Sequence, residues 1–416
     1  MPRELIELEA ARGLVLEHSP ALDPEDVALA DALGRTLAQD VTSTEAVPGF
    51  DNSAMDGFAV RASDAGGATA ASPRPLRVVD ESRAGHPARC AVRAGEAIAI
   101  STGAMLPEGA DAVVRIEDVH ETGAGIELRA AVEPGRDVRR AGEDIRAGDV
   151  ALRAGAGVGP FELGVLASVG RATVPCVSRP SMRILSTGDE LVNPHEQLRA
   201  GSVRNTNAFT VPALARLAGA EVAAVGHAAD DPRATREAVA ETLDCQIAVI
   251  CGGVSVGAHD HVRPALSAAG ARELFWGVAL RPGKPTWFGT FAGRAGERET
   301  LVFGLPGNPV SAIVTFLLFV APAIRSLRGA DAGSERIGAV LDEDYRKRPG
   351  RTHAVRCRLQ LREDGWHARP TGPQGSHILT SMLGAEGLAM IPAASDGIAA
   401  GEQIEVELIP ACSECN

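Results

Sequence analysis

Aromatic side chains are scarce in this 416-residue chain, at 3%. That leaves little material for the stacking platforms that single-stranded nucleic acids use. Positive charge is not in excess either: 41 Lys and Arg stand against 54 Asp and Glu, for a net charge of -13. Nucleic acid and acidic membrane surfaces are therefore excluded as main partners, while a small anionic ligand is not, because local fields override net charge. The seven cysteines are scattered without a paired framework, as suits a reducing cytoplasm. Cys412 and Cys415 have C-x-x-C spacing but no second pair, and read as part of a polar tail. The longest apolar stretch, from Val310 to Ile324, contains Pro322 and falls short of the roughly 20 residues of a membrane span; it predicts a buried helix. Glu4, Glu7, Glu9 and Arg12 stand where the apolar core of an export signal belongs. The expectation is a cytoplasmic protein with neither nucleic acid nor membrane as partner. Its 45% hydrophobic content and its length fit two to four globular domains.

What is present is a glycine-rich turn with a carboxylate behind it. Gln246-Ile-Ala-Val-Ile250 reads as a buried strand. It runs into Cys251-Gly-Gly-Val-Ser-Val-Gly257, then Asp260 and a helix from about His261. Glycines let a backbone approach a phosphate, and the first helical turn offers free N–H groups to it. Asp260 cannot bind phosphate directly, but it can hold a cation that does.

The surrounding pattern divides the chain. Residues 1–50 read as helical, first around Leu5 to Leu16, then from an Asp23-Pro24 start to Leu33, where Gly34 stops it. Residues 51–145 hold short β-rich runs (Leu76 to Val79, Ala97 to Ile100, Ala112 to Ile116, Ile126 to Leu128) and read as a small inserted β domain. Residues 146–180 return, with a helix from about Phe161 to Val169. Over 181–330 strands and helices alternate, which predicts a parallel sheet with helices on both faces. From 331 to 416 the pattern is β again and predicts a small barrel or sandwich.

Ligands of open α/β sheets bind beyond the carboxyl ends of the strands. Three carboxylate-bearing turns fall there: Ser186-Thr-Gly-Asp-Glu190, Asp230-Asp231 and the glycine turn with Asp260. Asp231, directly before Pro232, reads as a helix cap. The others predict a shared cation, since clustered like charges need one, and magnesium with a phosphorylated ligand suits a few carboxylates. Arg281-Pro-Gly-Lys-Pro285 places two cations in a stiff turn, and Gly304-Leu-Pro-Gly-Asn-Pro309 opens the apolar helix. His259 and His261 flank Asp260, but no further Cys/His cluster joins them to make a zinc site. Asp51 to Asp56, Ser101-Thr102-Gly103 and Arg139 to Asp144 add polar clusters that turn chemistry alone can explain.

Asp51-Asn-Ser-Ala-Met-Asp-Gly57, Thr102-Gly-Ala-Met-Leu-Pro107, Arg139-Arg-Ala-Gly-Glu-Asp144, Ser186-Thr-Gly-Asp-Glu190, Gly252-Gly-Val-Ser-Val-Gly257, Arg281-Pro-Gly-Lys-Pro285, Gly304-Leu-Pro-Gly-Asn-Pro309 and Gly375-Ser-His-Ile378, in this order, resemble the molybdopterin molybdenumtransferases (MoeA and the gephyrin E domain). The resemblance spans nearly the whole chain. It implies four domains: a discontinuous elongated helical and extended one (1–50 and 146–180), an inserted β-rich one (51–145), a three-layer α/β molybdopterin-binding one (181–330) and a C-terminal β-barrel (331–416). It implies insertion of molybdate into adenylylated molybdopterin, giving the molybdenum cofactor and AMP with Mg2+ assisting. The family's essential positions fall on Asp56, Thr102, Asp144, Glu190, Asp230 and Asp260, with Glu190, Asp230 and Asp260 as candidate metal ligands. Candidate substrate contacts are Ser101, Gly252, Gly253, Ser255, Gly257, Arg263, Arg281, Lys284, Pro306, Asn308, Pro309 and Ser376. A homodimer with each site shared between subunits is implied, and a molybdopterin adenylyltransferase and molybdoenzyme acceptors as partners. Departures are Gly277 and Arg281 where relatives carry lysine, Asn205 for a common aspartate and Phe58 for a common tyrosine. Lysine restored at 277 is expected to add back anion-binding charge.

Overall fold

The computed structural model describes residues 4–254, 260–293 and 298–410. They form two compact units, one of residues 26–33 and 37–175, the other of 1–25, 34–36 and 176–416.

In the first unit, alternating apolar residues build a six-stranded sheet. Its order is Ala112–Arg115, Gly57–Val60, Glu96–Ile100, Arg74–Ser82, Gly125–Leu128, Val119–Thr122. Phe58, Val60, Leu76, Ala97, Val114, Ile126 and Leu128 pack into one core. Two ribbons and the helix Pro160–Ser168 accompany it. The helix predicted from Asp23 to Leu33 does not form. Pro24–Ala28 is a strand and Leu29–Asp31 a single 3-10 turn, and the Leu29 N–H is bonded to the Ala172 carbonyl at 2.9 Å. Long-range backbone pairing has overridden a local capping signal.

The second unit is built on a six-stranded sheet ordered Glu221–Ala228, Ser181–Thr187, Ile247–Cys251, Thr300–Leu305, Trp287–Phe291, Arg272–Trp276. The first four are parallel, as predicted. Trp287–Phe291, which the periodicity does not reveal, is antiparallel to both of its neighbours, so the sheet is mixed. Both faces are covered. Ile247, Val249 and Cys251 face one core, with Val211 and the long apolar helix; Ala248 and Ile250 face the other, with Val239 and Leu266. A strand buried on both faces reads as a continuous apolar run, which is why Gln246 to Ile250 was legible.

The apolar helix spans Pro309–Leu327, long and apolar enough for a membrane span, but 89% of its window is buried inside the protein. Over Phe316–Val320 it loosens into a π turn. Pro322 has no N–H to give the Leu318 carbonyl, and the Arg12 Nε donates to that carbonyl at 3.4 Å. Arg12 lies on the helix Leu8–Glu17.

The C-terminal strands Thr352–Arg362, Gly365–Pro370, Arg336–Leu341, Gln403–Leu408 and Gly387–Ile391 pair in that order, and the last pairs back onto the first. The result is the expected closed barrel, which leaves no sheet edge open. Leu280–Arg281 joins it by pairing in parallel with Thr352 and His353.

Candidate active site

Three strands of the mixed sheet end side by side, at Thr187, Cys251 and Leu305. Beyond them lies a cavity of about 680 Å³, lined among others by Thr187, Glu190, Asn205, Asn207, Gly252, Gly253, Pro306, Asn308, Pro309 and His377. It sits where a parallel sheet is expected to bind its ligand.

The glycine turn owes its shape to the absence of side chains. Gly252 and Gly253 have φ of +96° and +64°, and a Cβ on Gly253 would lie 2.6 Å from Val262. The backbone therefore turns sharply under the cavity, and a Cβ on Gly307 would meet only the Gly252 Cα, at 3.7 Å. The Trp276 indole N–H holds the end of the turn by donating to the Val254 carbonyl at 2.7 Å. Ser255, Gly257 and His259 lie outside the described residues, as do Cys412 and Cys415.

Opposite the turn, Asn308 precedes the helix Pro309–Leu327 and its Nδ2 donates to the Ser376 hydroxyl at 3.2 Å. The Ser376 carbonyl accepts from the Val310 N–H at 3.1 Å. Ser376 thus caps the helix start and ties a barrel loop to the sheet edge. Behind that loop lies Arg356, which the sequence did not single out. It is buried at 1% exposure, and its guanidinium donates to the Gly375 carbonyl at 3.3 Å and the Ser381 hydroxyl at 3.0 Å. Burial lowers it to about 10, and Arg281 pushes in the same direction. Arg281 and Lys284 are exposed on a segment that ends at the cavity-lining Pro285. Arg356 and Arg281 give this corner a positive potential suited to an anion.

The carboxylates are distributed differently. Glu190 lines the cavity and is exposed. Asp230 and Asp189 cap each other: the Asp230 N–H donates to Asp189 Oδ1 at 3.0 Å, and the Asp189 N–H to Asp230 Oδ2 at 3.3 Å. Asp231 caps its helix as expected, accepting from the N–H groups of Arg233 and Ala234 at 2.9 and 2.8 Å; the Ala234 N–H contributes most to holding its carboxyl below the usual range. Asp260 is half-buried two residues before the helix Val262–Ala269. Among the described residues no three His, Cys, Asp or Glu side chains form a group able to hold a metal. A cation held by fewer carboxylates than that would share a ligand's oxygens, which is how magnesium is usually held. Exposed Glu190, with carboxylate oxygens not committed to helix capping, fits such a shared ion.

Arg263 pairs with Glu273 at 2.9 Å and stacks over Trp276, 5.0 Å from the ring centre. Two of the four departures also have local reasons. Asn205 Oδ1 accepts from the Ala208 N–H at 3.1 Å, a helix cap that aspartate would serve equally. Gly277 has φ of +88°, and a Cβ there would lie 2.9 Å from Leu5. Lysine at 277 would therefore strain the backbone, and the expected gain from restoring it is withdrawn.

In the other unit, Asp56 Oδ1 accepts from the Thr102 N–H at 2.7 Å, so these two predicted residues meet at the surface beside Ser101. Asp144 is exposed in another turn, its N–H bonded to the Val47 carbonyl at 3.1 Å. Asp51 anchors that turn by accepting from Ala141 N–H at 2.8 Å and Arg140 at 2.6 Å. Those bonds, the Ala141 N–H foremost, hold its carboxyl below the usual range.

Residues 6–170 match the family described as MoeA N-terminal region (domain I and II), residues 183–326 a probable molybdopterin binding domain, and residues 338–409 the MoeA C-terminal region (domain IV). The chain is 36% identical to a molybdopterin molybdenumtransferase of Haemophilus influenzae, over 97% of this chain and 98% of the relative. It is 37% identical to one of Bacillus subtilis, over 93% and 90%. The crystal structure of a molybdopterin biosynthesis MoeA protein from Pyrococcus horikosii superposes with a TM-score of 0.84 at 31% identity, covering 98% of this chain and 100% of that one.

Proposed function

Because the chain belongs to the molybdopterin molybdenumtransferase family, transferases of molybdenum cofactor biosynthesis, we propose that it inserts molybdate into adenylylated molybdopterin and releases AMP. The observation that carries this reading is the strand-end cavity, where a glycine turn, a capped helix start and one exposed carboxylate, Glu190, meet. The backbone of the turn at Gly252 and Gly253 binds the ligand's phosphate. Arg281 and Lys284, backed by buried Arg356, attract the molybdate oxyanion. Magnesium carried in with the pyrophosphate would be held by Glu190 together with the pyrophosphate oxygens, with Asp260 as the candidate second carboxylate, and would stabilise charge developing on the leaving AMP. Asp56, Thr102 and Asp144 position the dithiolene or the molybdate.

Four domains, a cytoplasmic homodimer with each site shared between subunits, supply of the substrate by a molybdopterin adenylyltransferase and delivery to molybdoenzymes complete the proposal, and rest on the family likeness. The test is turnover. Purified protein given adenylylated molybdopterin, magnesium and molybdate releases AMP in step with cofactor formation. A protein that binds the pterin but never releases AMP is a carrier, and the reading fails.

A further inference from the structure

The helix Asn207–Ala218 begins with a side chain whose two ends have unequal partners. Asn207 is 7% exposed. Its Nδ2 donates to the Gly307 carbonyl at 2.9 Å. Its Oδ1 is buried and finds no partner among the described residues. The orientation of the amide is not arbitrary, because turning it over would set its oxygen against the Gly307 carbonyl. Asn207 lines the cavity between Glu190 and Asn308. The Thr187 hydroxyl, also 7% exposed and also without a partner, lines it too. A buried acceptor left bare is costly, and native proteins leave few without a reason.

A ligand that satisfies Asn207 must bring a hydrogen-bond donor. Phosphate, pyrophosphate and molybdate present only acceptor oxygens at neutral pH and are excluded from this point. The donors of an adenylylated pterin are the ring N–H and amino groups of the pterin, the amino group of adenine and the hydroxyls of the ribose. Gly252 and Gly253, the phosphate-binding turn of the proposed function, lie against Thr187, since a Cβ on either would meet the Thr187 Oγ1 at 3.0 Å. A donor can therefore reach Asn207 from within the same cavity as the phosphate, and of the two heterocycles the pterin, with adjacent ring N–H and amino donors, offers more than the single amino group of adenine does.

We propose that Asn207 Oδ1 accepts a hydrogen bond from the N–H edge of the pterin ring, with the Thr187 hydroxyl of the same cavity as a second acceptor, and so sets the ring's orientation over Gly252 and Gly253. This deepens the functional reading above and rests on it. Asn207 is a recognition residue; it moves no proton.

The test measures binding of molybdopterin and of AMP separately, by titration of the purified full chain. Asn207→Leu should weaken molybdopterin roughly tenfold to a hundredfold, the cost of one buried unmet hydrogen bond, leave AMP binding unchanged, and raise KM more than it lowers kcat. Unchanged molybdopterin binding overturns the proposal. Weakened AMP with unchanged molybdopterin assigns the oxygen to the adenosine, through its amino group or ribose hydroxyls, and also overturns it. A measurement on the unaltered protein covers a variant that fails to fold: pterin should compete with molybdopterin, and 3-methylpterin, which lacks the ring N–H donor, should compete at least tenfold less well. Equal competition by both overturns the proposal. Wild-type protein that binds molybdopterin without releasing AMP sinks only the turnover reading; wild-type protein that does not bind molybdopterin sinks both.

Discussion

Arg12 and Glu407, 395 positions apart, form a two-bond ion pair of 2.8 and 2.7 Å with both residues buried. Glu407 lies on the barrel strand Gln403–Leu408, and Arg12 also donates to the Leu318 carbonyl. One guanidinium thus joins the first helix, the long apolar helix and the barrel.

Removing Arg12 leaves buried Glu407 with Arg336, at 3.2 Å, as its remaining counter-ion. Arg12→Met is predicted to lower the unfolding free energy by about 1.5–3 kcal/mol, the range for lost hydrogen bonds to a charged group, whereas replacing both residues with apolar side chains of similar volume recovers most of that. Urea denaturation of the two variants and the wild type checks it. Equal losses in single and double variants would show that packing, not the lost ion pair, sets the cost.

Two barrel histidines respond to pH in opposite senses. His353, buried and accepting or donating at Tyr345 Oη at 3.1 Å, is lowered to about 4, first by burial and then by Arg281, Lys347 and Arg351. The unfolded chain takes up that proton near 6.5 and the folded one does not. Stability therefore falls as pH drops from about 6.5 to about 4, by up to about 3 kcal/mol. His367 bonds to Asp342 at 2.8 Å and Asp364 at 3.0 Å through its two ring nitrogens, and these bonds raise it. Its contribution is complete below about 6.5 and is lost as pH rises through the raised value. Urea midpoints against pH should flatten on the acid side in His353→Gln and lose their acid-side gain in His367→Gln. Unaltered profiles would remove both groups from the pH response.

Much of this was legible in the sequence, and what was not has a common cause. The parallel strands and the helices between them announce themselves because each is a local periodic signal. The strand Trp287–Phe291 and the closure of Thr352–Arg362 onto Gly387–Ile391 do not, since pairing partners are set by tertiary contact. The strand at Pro24–Ala28 was read as a helix for the same reason. At the site, the motifs located the glycine turn, Glu190 and Asn308. Arg356, Asn207 and the Arg12–Glu407 pair stand outside any motif pattern that spacing alone makes chemical; only burial and an unmet or distant partner mark them.

Gly253 and Gly277 make separate claims about backbone. Gly253→Ala forces a Cβ to within 2.6 Å of Val262 at φ +64°. It should cost about 1–3 kcal/mol and weaken phosphate binding by the turn. Gly277→Lys should fail to improve molybdate affinity, because the strain at φ +88° displaces the segment leading to Arg281. A lowered molybdate KM in Gly277→Lys would reverse that conclusion.

The shared-site proposal predicts complementation. Asp56→Ala and Asp260→Ala homodimers should both be inactive. Reannealed together, they should regain roughly a quarter of wild-type AMP release, because half the dimers are mixed and each mixed dimer has one intact site of two. No recovery, with mixed dimers confirmed by mass, would place each site within one chain.

The most direct test of the central claim, that the strand-end cavity performs the transfer, is AMP release by Glu190→Gln beside wild type, with adenylylated molybdopterin, magnesium and molybdate at saturation. Glutamine keeps the shape and removes the charge. The account predicts at least a hundredfold loss of rate, on the order of 3 kcal/mol of transition-state stabilisation, with an unchanged unfolding midpoint and retained pterin binding. A Glu190→Gln protein that releases AMP at the wild-type rate would contradict it.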